Sequence, residues 1–144
     1  MWSWLFFSTS CTLCAPSDEL GRFYNEVSRV LVSEGSFAFL KKHPVFGLQS
    51  YCAAFQTNAT AFDYFADWGK YFRTTLQTVT GETLTTGTFH STFEDHSTAL
   101  KNAGLSLTEI IEPVCPVGLR DVHSMFEPLV GKVVYVIFVG QKRI

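Results

Sequence analysis

The order of helix, glycine, strand and proline occurs twice in this chain, and it constrains the fold more than any other feature. The first copy, FYNEVSRVLVSEGSFAFLKKHPVF, runs from Phe23 to Phe46, and the second, HSTFEDHSTALKNAGLSLTEIIEP, runs from His90 to Pro113. In both copies an amphipathic helix precedes a short apolar strand. Two such units in series predict a layered α/β sheet whose loops at the strand ends can hold a site.

In the first unit, apolar residues recur at the spacing of one buried helix face. They are Leu20, Phe23, Tyr24, Val27, Val30 and Leu31. We expect Ser17 to cap this helix and Gly35 to end it in a left-handed conformation. The apolar run Ser36–Leu40 then suits an interior strand that is covered on both faces, and Pro44 ends it.

The second unit predicts a helix and a strand, and sequence signals mark where the helix begins and ends. The sequence STFE at 91–94 has the pattern of a capping box with Glu94 as its acid, and Gly104 is a typical helix stop. A strand follows over Leu105–Glu112. We expect Val114–Gly131 to be a loop, and the β-prone run Val133–Val139 to pair antiparallel with its neighbour at the end of the sheet.

Residues 45–88 separate the two units and are rich in aromatic residues, threonine, glutamine and glycine. An insertion of this length favours a partly helical cover over an irregular loop. It fits either a lid over an organic substrate or a satellite hydrophobic cluster, and composition does not separate the two.

Length and charge limit the classes of function. The chain has 144 residues, of which 47% are hydrophobic, so we expect a single domain over residues 1–144. A net charge of −2 and isolated basic pairs such as Lys41-Lys42 do not suit a nucleic-acid partner. The apolar opening Trp2–Phe7 is too short to span a membrane and has no basic residue before it, so we expect neither an anchor nor a signal peptide and predict a cytoplasmic location.

Four cysteines leave three interpretations open. Cys11 and Cys14 form one CxxC, while Cys52 and Cys115 stand alone, so no second pair completes a zinc site and we predict no metal. Buried apolar thiols are the commoner outcome in an intracellular chain, and a redox pair is the other. In a secreted protein the four cysteines would pair and Asn58 would be glycosylated.

The two repeated segments resemble stretches of class I S-adenosylmethionine-dependent methyltransferases, in particular the small-molecule enzymes of the methyltransferase type 11 group. The first segment matches that family's pattern at Glu26, Val27, Arg29, Val30, Leu31, Gly35, Phe37, Phe39, His43 and Pro44. The second matches at His90, Phe93, Glu94, Asp95, Ala99, Leu100, Ala103, Gly104, Leu105, Glu112 and Pro113. The ending VVYVIFVGQKR is similar to the family's last strand.

The resemblance implies the C-terminal half of that fold: a partial Rossmann-like sheet of about four strands, the last antiparallel, with helices and an aromatic-rich helical insertion. The glycine-rich turn that approaches the cofactor has no counterpart here, and residues 1–16 match least well. We therefore expect a truncated enzyme that is not active alone. An exposed sheet edge would then suit a partner chain or a homo-oligomer.

The resemblance also suggests where a site would lie. His43 and His90 would stand near the substrate face as a base or as an orienting group for a small-molecule methyl acceptor. Alternatively, His43 only caps a turn before Pro44 and His90 fixes the helix entry. Tyr64 and Tyr71 are candidates for the substrate pocket.

Further residues have two interpretations. Trp68 and Phe72 would belong to a lid with those tyrosines, or all four would serve ordinary packing. By resemblance, Ser10 and Cys11 would neighbour S-adenosylmethionine, the implied cofactor. Two non-enzymatic alternatives stay open: an interaction module that uses the sheet edge, and a secreted disulfide-containing domain.

Overall fold

The computed structural model describes residues 2–8, 18–46, 55–57, 62–78 and 80–144. Its elements, in chain order, are β1 (Trp2–Ser8), α1 (Asp18–Val30), β2 (Leu31–Lys42), β3 (Phe55–Thr57), β4 (Tyr71–Gln77), β5 (Thr83–Phe89), α2 (Phe93–Asn102), β6 (Leu105–Ile111), α3 (Leu119–Val122) and β7 (Tyr135–Lys142). Within the described residues, no helix is long and apolar enough to cross a membrane.

Four strands form the main sheet, in the order β1-β2-β7-β6. Strands β1 and β2 run parallel, whereas β7 runs antiparallel to both β2 and β6. The pair β6 and β7 therefore lies at one end of the sheet, with the antiparallel pairing that the sequence predicts. The expected α/β class and the partial Rossmann-like sheet are confirmed.

The core lies between the main sheet and the helices α1 and α2. Alternate residues of a strand point to the same face, and on β2 this places Phe37 and Phe39 beside Tyr24 of α1. Phe138 of β7 stacks on Phe39 with ring centroids 6.4 Å apart. Leu100 of α2 is also fully buried in this cluster. The face of β2 that carries Phe37 and Phe39 therefore packs against the buried sides of α1 and α2.

The end of α1 differs from the sequence expectation. The helix ends at Val30 and β2 begins at once, so the strand is longer than the predicted Ser36–Leu40. Glu34, not Gly35, adopts the left-handed conformation, with a φ of 60°. A glycine stop is not needed because Lys142 Nζ donates to carbonyl oxygens at the helix end, including that of Ser28 at 2.7 Å. The predicted cap, Ser17, lies outside the described residues.

The start of α2 is shifted by one residue. Thr92 is the N-cap, and its hydroxyl accepts from Asp95 N at 3.1 Å while Asp95 Oδ2 accepts from Thr92 N at 2.7 Å. The prediction of Glu94 as the capping acid is therefore wrong. Ser91 is not available as a cap because its Oγ accepts a buried hydrogen bond from Lys41 Nζ. The predicted stop at Gly104 is present, with a φ of 71°.

The segment between β6 and β7 is more ordered than the predicted loop. It contains α3 and a 3-10 turn over Ser124–Leu129. Leu129 packs with Val134 in a small second cluster, which gives this segment apolar contacts of its own. Strand β7 begins later than the predicted Val133 and continues beyond Val139.

The described part of residues 45–88 contains strands and turns but no helix, so the prediction of a helical insertion is wrong. Strands β3, β4 and β5 form an antiparallel three-stranded insertion sheet. Threonines favour strands, and β4 has the matching two-residue period: Phe72 and Thr74 are buried while Tyr71 and Arg73 are exposed. The aromatic residues obscured this period in the sequence.

We predict that Glu34→Gly stabilises the protein by about 0.5–1 kcal/mol, because glycine adopts a left-handed backbone without the penalty that a side chain carries. The free energy of unfolding in urea measures this change. Ser33→Gly is the matched control, since Ser33 is exposed and has no positive φ, and there glycine should destabilise. A loss of stability in Glu34→Gly would contradict the assignment of strain to this residue.

Candidate functional site

A cleft lies where β2 and β5 end. The residues that line it come from these two strand ends and are Lys41, Lys42, His43, Pro44, Thr88, Phe89, His90 and Ser91. Its empty space is about 170 Å³, part of it open to solvent. Both histidines expected at the substrate face therefore border one cleft.

Lys41 is held at the cleft by a buried polar network. Because β2 alternates, Lys41 shares the face of Phe37 and Phe39 and reaches α2. Lys41 Nζ lies 2.6 Å from Ser91 Oγ and 2.9 Å from His96 Nε2. A lysine only donates, so Nε2 accepts, and the hydrogen of the His96 ring is on Nδ1.

The same hydrogen bonding extends into the core through His96. The Nδ1 of His96 lies 2.8 Å from Tyr24 Oη and donates to it. Burial, together with the charge of Lys41, holds the pKa of His96 well below its ordinary value. His96 is therefore a neutral connector between the core and Lys41.

Lys42 points to the opposite face of β2, where its ammonium donates to the hydroxyl of Thr74 on β4. Both side chains are buried, with Thr74 fully so. Burial lowers the pKa of Lys42 to about 8. This lysine is a cation at neutral pH that connects the main sheet to the insertion sheet.

His43 follows β2 and organises the turn at Pro44. Its Nδ1 accepts from Val45 N at 3.1 Å and from Phe46 N at 3.2 Å. The ring hydrogen is therefore on Nε2, which lies 2.7 Å from Glu112 Oε1 and donates to it. These contacts are those of a turn-capping residue, and they occupy both ring nitrogens of His43.

His90 lies between β5 and α2 and is only 3% exposed. Its Nε2 donates to the carbonyl oxygen of Tyr64 at 2.7 Å, so Nδ1 carries the lone pair. Among the described residues, no group forms a hydrogen bond with this Nδ1. Burial lowers the pKa of His90, so the ring is neutral at pH 7. His90 thus lines the cleft and carries a buried lone pair that no described group uses.

The aromatic candidates lie beside the cleft rather than in its lining. Tyr64 contacts the His90 ring edge-on at 5.3 Å, and its hydroxyl accepts from Phe93 N at 2.8 Å. Trp68 Nε1 donates to Asp95 Oδ2 at 2.8 Å, which ties the turn before β4 to α2. Tyr71 covers Gly87, where an added Cβ would clash with the Tyr71 ring and hydroxyl.

Phe72 is a buried residue of β4. Its ring meets that of Phe62 at 5.8 Å, and Phe62 in turn contacts the His90 ring at 4.9 Å. These contacts support the wall of the cleft behind His90. A movement of this segment as a lid stays a prediction.

Other sequence candidates lie outside the described residues. These are Ser10, Cys11, Cys14, Cys52 and Asn58. Cys115 is a free thiol. In the described ranges, no cluster of three metal-ligating side chains occurs.

Sequence reasoning missed the polar residues that hold the cleft. In the sequence, Lys41 and Lys42 stand out only as an isolated basic pair, and nothing marks His96 as a partner of Lys41. The signal was the two-residue period of β2, since Lys41 follows Phe37 and Phe39 on the same face. The partner of Lys42 carried no such signal, because Thr74 belongs to a strand that the sequence did not reveal.

Comparisons with known proteins give structural relatives only. No family model matches this sequence, and no curated protein sequence matches it. A protein from Listeria monocytogenes, described as an S-adenosylmethionine-dependent methyltransferase, has a TM-score of 0.61 and 20% identity over 99% of this chain and 62% of its own. An S-adenosylmethionine-dependent methyltransferase from Mesorhizobium loti has a TM-score of 0.59 and 12% identity, over 97% of this chain and 62% of its own. The CcbJ methyltransferase of Streptomyces caelestis has a TM-score of 0.57 and 16% identity, over 99% of this chain and 57% of its own.

At these identities the similarity establishes the fold and nothing finer. The chain shares its fold with class I S-adenosylmethionine-dependent methyltransferases, and membership in the type 11 group is not confirmed. The chain spans only 57% to 62% of the length of these structures.

We predict that Lys42 makes stability rise with pH between about 8 and 10.5, because in that range the unfolded chain holds a proton on Lys42 that the folded chain has lost. Urea unfolding of wild type and Lys42→Met over this range measures the effect. The wild type should gain stability relative to Lys42→Met as pH rises. Lys132→Met, which removes an exposed ammonium, should keep the wild-type pH dependence. Equal pH dependence in wild type and Lys42→Met would contradict the burial of this cation.

Proposed function

We propose that this chain forms the acceptor-binding part of an S-adenosylmethionine-dependent methyltransferase that acts on a small organic molecule. The shared fold supports the general kind of enzyme. The cleft at the ends of β2 and β5 supports the location of the acceptor. In open α/β sheets, ligands commonly bind outside the strand ends.

One observation carries the proposal: a buried lone pair at the cleft, on Nδ1 of His90. An unsatisfied buried acceptor costs about 1–3 kcal/mol, so a ligand that donates a hydrogen bond there gains that contact. The hydrogen bond to the Tyr64 carbonyl sets the tautomer of His90. Burial lowers its pKa and keeps the ring neutral. His90 is therefore prepared to receive an O–H or N–H group before any ligand arrives.

The methyl donor needs more room and other groups than this cleft supplies. Sites for drug-sized ligands span roughly 300–1,000 Å³, whereas the cleft encloses only about 10 Å³ and is otherwise open to solvent. The sequence also lacks a GxGxG turn. The cleft does not hold S-adenosylmethionine, and an acceptor would bind on its solvent-open side. Ser10 and Cys11 stay the predicted contacts of this chain with the donor, and inactivity of the chain alone stays a prediction.

The role of His90 in such a reaction follows from its atoms. When bound, S-adenosylmethionine would supply the methyl group, so that X–H of the acceptor would become X–CH₃ and one proton would have to be taken up. His90 Nδ1 would first orient X by accepting its hydrogen bond and then take that proton. The Nε2–H bond to the Tyr64 carbonyl persists throughout and stabilises the resulting imidazolium.

Four further expectations stay predictions. They are a partner chain or homo-oligomer at the sheet edge, a non-catalytic interaction role, a secreted disulfide-containing domain, and a cytoplasmic location.

A radiochemical assay tests the proposed function. The purified chain and S-adenosylmethionine labelled in its methyl group are added to an extract of the source organism, which supplies acceptors and any further chain that the donor site requires. We expect label in the small-molecule fraction above the level of extract alone. His90→Gln should reduce this excess by roughly 100-fold, because the glutamine amide retains a donor for the Tyr64 carbonyl but has no basic nitrogen in place of Nδ1.

His123→Gln is the matched control, since it changes an exposed histidine that does not line the cleft. It should keep the wild-type excess. No excess label with the wild-type chain would overturn the proposed function. Full activity in His90→Gln would overturn the role of His90 within it.

A further inference from the structure

We propose that Lys41 is a positioning residue for His90, whose ammonium is held next to Ser91 and disfavours a second positive charge on the His90 ring. This inference rests on the proposed function, because it concerns the group that receives the hydrogen of the methyl acceptor. Lys41 acts through His90 in this role and does not have to contact a ligand.

The first support is the way in which the Lys41 ammonium is held. Its Nζ lies 2.6 Å from Ser91 Oγ and 2.9 Å from His96 Nε2, and these two atoms are themselves 2.9 Å apart. Tyr24 Oη binds the other nitrogen of the His96 ring at 2.8 Å. All four side chains are buried. The ammonium therefore has a definite position, and the serine that it contacts directly follows His90 in the chain.

The second support is that His90 has an equally definite position. Its backbone N donates to the carbonyl oxygen of Lys70 at 2.9 Å, which attaches it to the turn before β4. On the other side of His90, Ser91 is held by Lys41 and Thr92 caps α2. The Lys41 ammonium and the His90 ring are thus fixed relative to each other. In a buried environment, charges interact more strongly than they do in water.

The third support is the balance of charges around His90. Burial lowers the pKa of His90, and the cation of Lys41 lowers it further. The Tyr64 carbonyl, Asp67 and Asp95 act in the opposite direction. A nearby cation disfavours the charged form of a histidine, so Lys41 extends to lower pH the range in which Nδ1 keeps its lone pair.

Other charged or titratable groups around His90 are engaged elsewhere or neutral. The two carboxylates have partners of their own, in Lys70 and in the start of α2. Lys42 donates toward β4 from the opposite face of β2. His96 is neutral at pH 7 because burial lowers its pKa. Removal of the Lys41 charge is therefore expected to raise the pKa of His90.

A titration of the histidine rings tests this inference. Two-bond hydrogen–nitrogen NMR spectra of the chain, recorded over a range of pH without acceptor or methyl donor, follow the four histidines separately. The signal that is lost in His90→Gln identifies His90. We expect the wild-type pKa of His90 to lie below the ordinary value, and to rise in Lys41→Met, which keeps the apolar stem and removes the charge.

Two further variants separate charge from packing. Lys41→Gln removes the charge but keeps an amide that can donate to Ser91, and it should give the same rise in the pKa of His90. Lys101→Met is the matched control, since it removes an exposed lysine of α2 that does not line the cleft. It should leave the pKa of His90 at the wild-type value. Circular dichroism shows whether each variant is folded.

The pH dependence of methyl transfer gives a second readout. In the radiochemical assay, the acid limb of the profile should lie at higher pH for Lys41→Gln than for wild type, because the variant ring gains its proton at higher pH. An acid limb that does not move, although the pKa of His90 rises, would overturn the role of Lys41 in the reaction.

The outcomes separate this inference from the proposed function. A wild-type pKa of His90 at or above the ordinary value, or an unchanged pKa in either folded variant of Lys41, would overturn the inference. Loss of folding in both variants would also overturn it and leave Lys41 a structural residue. Because the titration needs no ligand, a raised pKa together with absent methyl transfer would keep the effect of Lys41 on His90 and overturn only the enzymatic function.

Discussion

Strand β2 ends in Lys41 and Lys42, and His43 follows it. These three consecutive polar side chains are almost fully buried, at 7%, 5% and 2% exposed. Buried polar groups require partners, because unpaired ones are costly. The partners come from different parts of the chain. Ser91 and His96 lie at and on α2, Thr74 lies on β4, and Glu112 follows β6. The hydrogen bonds that these three side chains require therefore hold both sheets and α2 in position around a single cleft.

His90 depends on the same arrangement. Its backbone N donates to the carbonyl of Lys70 and its backbone O accepts from Gly69 N, so the turn before β4 is attached to the residue that leads into α2. The Nε2 contact with the Tyr64 carbonyl adds a third attachment and sets the tautomer. The acceptor atom at the cleft is a result of packing between the insertion sheet and the main body. This is why His90, rather than the fully hydrogen-bonded His43, carries the proposed function.

The sequence predicted the parts of the fold that depend on local patterns. The helices, the strand after each, and the antiparallel last pair follow from periodicity, and the stop at Gly104 follows from local chemistry. What it missed depends on contacts between distant residues. Lys142 ends α1 from more than a hundred positions away along the chain, and Ser91 cannot cap α2 because Lys41 engages it. The two candidate histidines were found by resemblance, but only their surroundings show which ring nitrogen is unpaired.

The state of the His90 ring tests the central claim most directly. Nitrogen-15 NMR of the imidazole side chains distinguishes a protonated from an unprotonated ring nitrogen. Our account predicts a neutral ring at pH 7 with hydrogen on Nε2 and an unprotonated Nδ1. A charged ring or the opposite tautomer would contradict it.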